Sequence, residues 1–293
     1  MDQHEGRIEA LQRLYASSTD LVRGRGMSEP EALAHYAAYC DFVVQSTGRS
    51  TGRLLDLGCG NGWSSHAFAQ RGFETVGVDL NPAAFEPPAR PGLTLQQASV
   101  AGLPFADGSF DLVATYLMLE HVPDPESALR EMIRVVRPGG SITIVCPNLL
   151  SVLASARGIT SHAWKNRPLR TILFRSPEMP RHPAGNTLPE CVAALFGSAA
   201  RLAAKLVARR PTFSMREPDI RPPFYSDNDA CYRCNPVDMV KFFRTRGCRV
   251  LRNGQYGRPP LSWLAATGVF VTARTPDASH TEPRGNVRGA TVG

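Results

Sequence analysis

Between residues 53 and 146 the apolar positions alternate between short continuous runs and helical spacing. Arg53-Leu54-Leu55-Asp56-Leu57 is a strand-like run that ends in a glycine-rich turn. Residues 63–71 follow at helical spacing until Gly72 stops them. The stretches 75–79, 93–98, 110–115 and 141–146 repeat the strand signal. Asp124-Pro125-Glu126 opens a helix, with an N-cap residue followed by proline in the first turn. Its spacing predicts Leu129, Ile133 and Val136 on the inward face, with Arg137-Pro138-Gly139-Gly140 as its end. Strands alternating with helices predict an α/β fold, a doubly wound and mostly parallel sheet covered on both faces.

The flanks are read the same way. Residues 8–15 are short and amphipathic. Ser28-Glu29-Pro30-Glu31 is a capping box that opens a helix with Leu33, Tyr36, Cys40 and Val44 along one stripe. After the fifth strand, prolines, basic residues and helical patches over 149–234 interrupt the alternation. It resumes with a helix at 237–246, a strand at 248–251 and a last strand at 264–274. The expected organisation is a helical cover at 1–48, a core at 49–148, a basic helical insertion at 149–234 and the rest of the core at 235–274. Residues 275–293 have little to bury and are expected to be a disordered tail.

With 293 residues, 43% of them hydrophobic, the chain can bury a substantial interior. No apolar run reaches the roughly 18 residues of a spanning helix. The opening Met1-Asp2-Gln3-His4-Glu5 lacks the basic start and apolar centre of a signal peptide. Seven scattered cysteines suit a reducing compartment. A cytoplasmic location follows as the expectation. Charge is uneven: residues 1–148 carry 11 Lys/Arg against 17 Asp/Glu, and residues 149–234 carry 13 against 6. An acidic front half is a poor nucleic-acid platform, so no nucleic-acid partner is expected. The basic back half suits an anionic substrate or membrane surface.

Candidate chemistry centres on Asp56-Leu57-Gly58-Cys59-Gly60-Asn61-Gly62, placed directly after a strand and before a helix. Glycines there let the backbone turn tightly and approach a ligand. Asp79 ends the next strand nineteen residues after Gly60, where its carboxylate can accept both hydroxyls of a ribose. Turn, strand end and carboxylate together indicate a nucleoside-containing cofactor. A dinucleotide fingerprint would place glycine where Trp63 stands. Asp56 would repel a pyrophosphate and suits a cationic amino-acid end.

These residues, with Leu103-Pro104-Phe105, Phe110-Asp111-Leu112-Val113, Leu119-Glu120-His121-Val122 and Arg137-Pro138-Gly139-Gly140, resemble the class I S-adenosylmethionine-dependent methyltransferases of the small-molecule, type 11-like group. The resemblance covers about residues 53–147. It implies a seven-stranded Rossmann-like sheet and S-adenosylmethionine as cofactor, released as S-adenosylhomocysteine. Asp56, Gly58, Cys59, Gly60 and Gly62 would surround the methionine part, Asp79 the ribose, and Leu80 the adenine, with Tyr116 at the end of the fourth strand. The family's acidic adenine partner is replaced by Ser99, followed by Val100. Four prolines between Asn81 and Gly92 imply that the second crossover helix is short or missing.

For a hydroxyl acceptor, His121 is the candidate general base, since its ordinary pKa lies near neutrality. The alternative is that His121 caps the strand end and supports the turn to Pro123. Leu117 stands where metal-dependent relatives carry a ligating Glu, so no metal is expected. Cys231-Tyr232-Arg233-Cys234 has zinc-like spacing without a second pair, and two ordinary thiols are the simpler reading. Asp227-Asn228-Asp229-Ala230 either lines the acceptor pocket or is a polar linker. Within the insertion, Leu188, Val192, Leu195, Ala199, Leu202 and Leu206 form an apolar stripe beside Arg201 and Lys205, with Arg209-Arg210 after it. That helix is expected either to pack on its own domain or to rest, through 188–210, on an anionic membrane, and the insertion is expected to act as a lid over the acceptor. The function expected is O-methylation of a small molecule such as a sugar, glycolipid or secondary metabolite. Methylation at nitrogen or carbon, a silent cofactor-binding subunit and a nicotinamide dehydrogenase are the alternatives.

Overall fold

The computed structural model describes residues 9, 13–17, 26–150, 187–218, 229–253 and 268–277. The elements are α1 (Glu29–Thr47), β1 (Gly52–Leu57), α2 (Trp63–Gln70), β2 (Phe73–Asp79), β3 (Leu93–Gln97), β4 (Phe110–Tyr116), α3 (Pro125–Val135) and β5 (Val136–Pro147). They continue with α4 (Leu188–Val207), α5 (Pro236–Thr245), β6 (Arg249–Asn253) and β7 (Gly268–Arg274). One seven-stranded sheet runs in the order β3-β2-β1-β4-β5-β7-β6. Its first five strands are parallel, and β7 is antiparallel to both neighbours. The chain order reverses between β1 and β4, and ligands of open α/β sheets bind outside the strand ends at such a switch point.

Both faces of the sheet are buried because successive strand residues point to opposite sides. Leu55, Val113 and Ile142 join Leu129 and Met132 of α3 and Phe242 of α5 in one core. Leu54, Leu112 and Val145 join Tyr36, Tyr39 and Val43 of α1 and Phe68 of α2 in the other. The Ser28 capping box forms as expected: the backbone N–H of Ser28 donates to Glu31 Oε2 at 2.9 Å. Gly48 closes α1 in the left-handed conformation, at φ 69°.

Several boundaries differ from the sequence expectation. The inward face of α3 is Ala128, Leu129, Met132 and Val135, whereas Ile133 is half-buried and Val136 already belongs to β5. Residues 137–140 do not end a helix but start that strand. Phe110 pairs with Val136, and the register shifts before Leu112 pairs with Ser141. A Cβ on Gly140 would lie 2.8 Å from the Arg137 carbonyl oxygen and 2.9 Å from that of Asp111, so only glycine lets the backbones close there. The proline-rich stretch after β2 carries a single 3-10 turn, Pro82–Ala84, with Asn81 Oδ1 accepting from Ala83 N at 3.1 Å.

The insertion helix α4 corrects the expectation most. Of the predicted stripe, Leu188, Leu195 and Leu202 are half-buried, while Val192, Ala199 and Leu206 face outward. The buried positions are Cys191, Ser198 and Lys205. Lys205 is therefore not a surface cation: its Nζ lies 2.5 Å from Asp238 Oδ2, with both side chains at most 2% exposed. Asp238 also accepts from Asn235 Nδ2 at 2.9 Å, Thr212 N at 3.1 Å and Tyr232 Oη at 3.3 Å. A buried ion pair persists where its remaining hydrogen-bonding capacity is filled in this way. From α5, Lys241 donates to the carbonyls of Lys205 and Ala208, placing a cation on the C-terminal end of α4. Thr275, expected to begin the tail, is buried instead, and its N–H donates to the Gly140 carbonyl at 3.0 Å. The other expectations for 8, 10–12, 151–186, 219–228 and 264–267, and the tail from 278 on, lie outside the described residues.

Candidate cofactor and acceptor site

The turn after β1 is built by backbone. Gly58 N and Cys59 N donate to the Val78 carbonyl at 2.9 and 3.1 Å, which fastens the turn to the end of β2. Gly58 sits at φ 69°, and a Cβ there would lie 2.3 Å from Met118 Cγ. Gly62 is the left-handed N-cap of α2, at φ 90°. A Cβ on Gly62 would meet Leu95 Cδ1 at 2.7 Å. Neither position accepts a side chain, so the turn keeps its bare backbone. Cys59 is buried, and burial holds its thiol pKa well above the usual range.

Asp79 closes the same turn. Its Oδ2 accepts from Gly60 N at 2.8 Å and its Oδ1 from Asn81 N at 3.2 Å. Burial still pushes its pKa up despite the backbone donors. A carboxylate has about four acceptor sites, so each oxygen retains capacity for a further donor. Asp56 is 1% exposed and takes the hydroxyls of Ser64 and Ser65 on Oδ2 at 2.6 and 2.7 Å. Burial raises its pKa to about 6, against the two serine hydrogen bonds, with the Asp79 charge adding to the rise. Two carboxylates are thus held in low dielectric beside one glycine turn, an arrangement that favours a cationic and hydroxyl-rich ligand.

Leu80 is half-buried, and its carbonyl accepts from Gln97 Nε2 at 2.9 Å. Ser99 and Val100 follow β3; Ser99 Oγ accepts from Ala101 N at 3.3 Å, and Val100 packs on the core. Tyr116 ends β4 with its ring 4.9 Å from that of Tyr39. Next to it, Leu117 has φ 54°, rare for a residue with a side chain, and donates its N–H to the Val145 carbonyl at 2.8 Å. Such strain collects at ligand sites because the surrounding structure must impose it.

His121 lies in the 3-10 turn after β4. Its Nδ1 is 2.7 Å from the Tyr15 hydroxyl and 3.4 Å from Asp229 Oδ2, and its Nε2 is 3.6 Å from Glu120 Oε1. The Tyr15 hydroxyl itself donates to Asp229. Burial, then the Asp229 charge, raises the Tyr15 pKa, so the phenol keeps its proton. That single proton goes to the carboxylate, and the phenol oxygen must therefore accept from Nδ1–H of His121. The segment holding Asp229 is tied to the same place, since Cys231 N and Tyr232 N both donate to the Glu120 carbonyl, at 2.8 and 2.9 Å.

The structure thus brings the glycine turn, Asp56 and Asp79 together, and separately joins His121 to Asp229. Sequence reasoning missed Tyr15, the strained Leu117 and Glu86. Glu86 Oε2 accepts from Trp63 Nε1 at 2.8 Å, and its Oε1 accepts from Gly26 N at 3.2 Å. Cys146 and Cys234 are both buried thiols, and among the described residues no three potential ligands gather to hold a metal.

Residues 55–144 match a family described as a methyltransferase domain. An uncharacterized methyltransferase of Mycobacterium sp. (strain JLS) is 47% identical over 137 residues, 45% of this chain and 53% of that protein. A ubiquinone biosynthesis O-methyltransferase of Alkalilimnicola ehrlichii is 39% identical over 110 residues, 35% of this chain and 44% of that protein. The chain spans about half the length of the curated relatives it matches. A solved structure from Listeria monocytogenes, described as an S-adenosylmethionine dependent methyltransferase, superposes with a TM-score of 0.53 at 13% identity. It covers 84% of this chain and 99% of that one, and the likeness is one of fold.

Proposed function

We propose that the protein is an enzyme that transfers a methyl group from S-adenosylmethionine to a hydroxyl of a small-molecule acceptor, supported by the match of residues 55–144 to a methyltransferase domain and by the Rossmann-like sheet that carries it. The observation that carries the cofactor is the pair of desolvated carboxylates, Asp56 and Asp79, on one glycine turn. Asp79 has acceptor capacity for the ribose hydroxyls, and Asp56 supplies negative charge for the ammonium of the methionine part. When bound, S-adenosylmethionine supplies an activated methyl group on a sulfonium.

The chain's own part is to align the acceptor, exclude water and remove a proton. His121 is the residue we assign to the last task, since Tyr15 and Asp229 hold its ring from the Nδ1 side just after β4. Its imidazole would take the proton that the acceptor hydroxyl gives up when it is methylated. Asp229 and Glu120 balance the positive charge the ring acquires. The name of the Alkalilimnicola relative, an O-methyltransferase, supports a hydroxyl over nitrogen or carbon. The acceptor class proposed is a sugar, a glycolipid or a secondary metabolite, and an anionic one would suit the basic second half of the chain.

Calorimetry with S-adenosylmethionine and with a nicotinamide dinucleotide tests the cofactor. Binding of the first alone is expected, and binding of the dinucleotide alone would refute the assignment. Release of S-adenosylhomocysteine in the presence of hydroxyl-bearing acceptors tests the reaction. Transfer confined to amines would remove the hydroxyl assignment and leave the cofactor assignment standing.

A further inference from the structure

Helix α4 is amphipathic with its polarity reversed. Every exposed position from Pro189 to Val207 is Pro, Ala, Val, Leu or Phe. Phe196 is 69% exposed, Leu206 59% and Val207 85%. On the buried side stand Cys191, Ser198 and Lys205, seven residues apart, with Lys205 neutralised by Asp238. An apolar stripe turned to solvent over a 20-residue helix, about 30 Å long, costs solvation that a monomer in water does not recover.

The occupant follows from charge. From Cys191 to Arg216 the sequence contains no acidic residue and carries Arg201, Lys205, Arg209, Arg210 and Arg216. Lys205 is buried, whereas Arg209 and Arg210 are exposed just past the end of the apolar face. With Glu190 at its start and Glu217 beyond Arg216 as the acidic neighbours, the C-terminal half of the face is rimmed by cations, which repel a second copy of that end and complement a surface of anionic headgroups over hydrocarbon. We infer that α4 is a peripheral membrane-docking helix that lays Phe196, Leu206 and Val207 into the acyl boundary of an anionic bilayer, with Arg209 and Arg210 among the headgroups. The polar side holds the helix to the protein: Lys205 reaches Asp238, and Lys241 of α5 grips the last carbonyls of α4. Docking would leave α5 and the sheet behind it undisturbed. The inference goes beyond the proposed reaction and does not depend on it.

The test is co-sedimentation of the full chain with vesicles of phosphatidylcholine alone and with 30% phosphatidylglycerol, at low and high salt. Binding is expected with the anionic vesicles at low salt and is expected to fall at high salt. Phe196→Ser combined with Leu206→Ser should lower partitioning at least roughly tenfold, and Arg209→Gln with Arg210→Gln by roughly 30-fold at low salt. All four positions are exposed, and circular dichroism should show unchanged folding. Failure to bind anionic vesicles at low salt would overturn the inference. So would serine variants that bind as well as the parent, or light scattering that shows a dimer which those variants dissolve. Cofactor binding measured on the same samples reports separately on the methyltransferase reading.

Discussion

The Tyr15 hydroxyl meets Nδ1 of His121 at 2.7 Å, joining positions 106 residues apart. Asp229 accepts a hydrogen bond from that phenol, which keeps its proton. These contacts hold the imidazole ring from its Nδ1 side, the orientation the proposed general base requires. Tyr15→Phe removes the acceptor for Nδ1–H and should lower kcat by roughly 10- to 100-fold, while His121→Gln should lower it by about 10²–10⁴-fold. Cofactor affinity should be nearly unchanged in both. Steady-state kinetics beside calorimetry check this; a His121→Gln enzyme with full turnover would make the residue structural.

Asp79 joins the glycine turn to the end of β2 through Gly60 N. Asp79→Ala should weaken S-adenosylmethionine binding by about 2–4 kcal/mol, since charge-assisted hydrogen bonds to both ribose hydroxyls are lost. Urea unfolding should show a protein that still folds cooperatively. Unaltered cofactor affinity in the variant would remove Asp79 from the site.

Asp56 makes the stability of the ligand-free protein depend on pH. Its folded pKa, about 6, lies above the ordinary 3.8. The folded state therefore binds this proton more tightly than the unfolded chain does. The stability so gained is fully present below about pH 4 and is lost as pH rises through about 6. Asp56→Asn should remove this dependence and stabilise the ligand-free protein at pH 7.5 by on the order of 1–3 kcal/mol. The same variant should bind S-adenosylmethionine more weakly. Thermal unfolding from pH 4 to 8, with and without cofactor, measures both effects.

Lys205 and Asp238 are buried together. Lys205→Met strands the carboxylate and should cost about 3–5 kcal/mol. Lys205→Met with Asp238→Asn should regain much of that loss, because no uncompensated charge remains. Urea denaturation of the two single variants and the double variant forms the cycle that checks it.

What was legible in the sequence was local. The first four parallel strands, the glycine turn and the place of Asp79 at the end of β2 are each specified by neighbours within a few residues, whereas β5 begins five residues before the expected Ser141. The inward face of α3 was misjudged because Arg137-Pro138-Gly139-Gly140 looks like a helix stop. Its glycines instead serve a close strand approach, which depends on Asp111 across the sheet. Lys205 was expected in solvent because a lone lysine belongs there; only Asp238, 33 residues away, makes burial tolerable. Tyr15 carried no local signal at all, since its role exists only once His121 and Asp229 lie beside it.

The position of β7 bears on how the protein is made. Residues 268–274 lie between β5 and β6, and the Thr272 hydroxyl bonds both Thr143 of β5 at 3.2 Å and Ser46 of α1 at 2.9 Å. A nascent chain therefore leaves the ribosome with the glycine turn, Asp79 and His121 already synthesised, but with the apolar strand β5 unpaired along one edge. Such edges recruit other chains. Expressed without residues 268–293, the protein should collect in the insoluble fraction although it retains every residue assigned to cofactor and proton transfer. Its yield, not its chemistry, would be set by a strand translated after all of those residues.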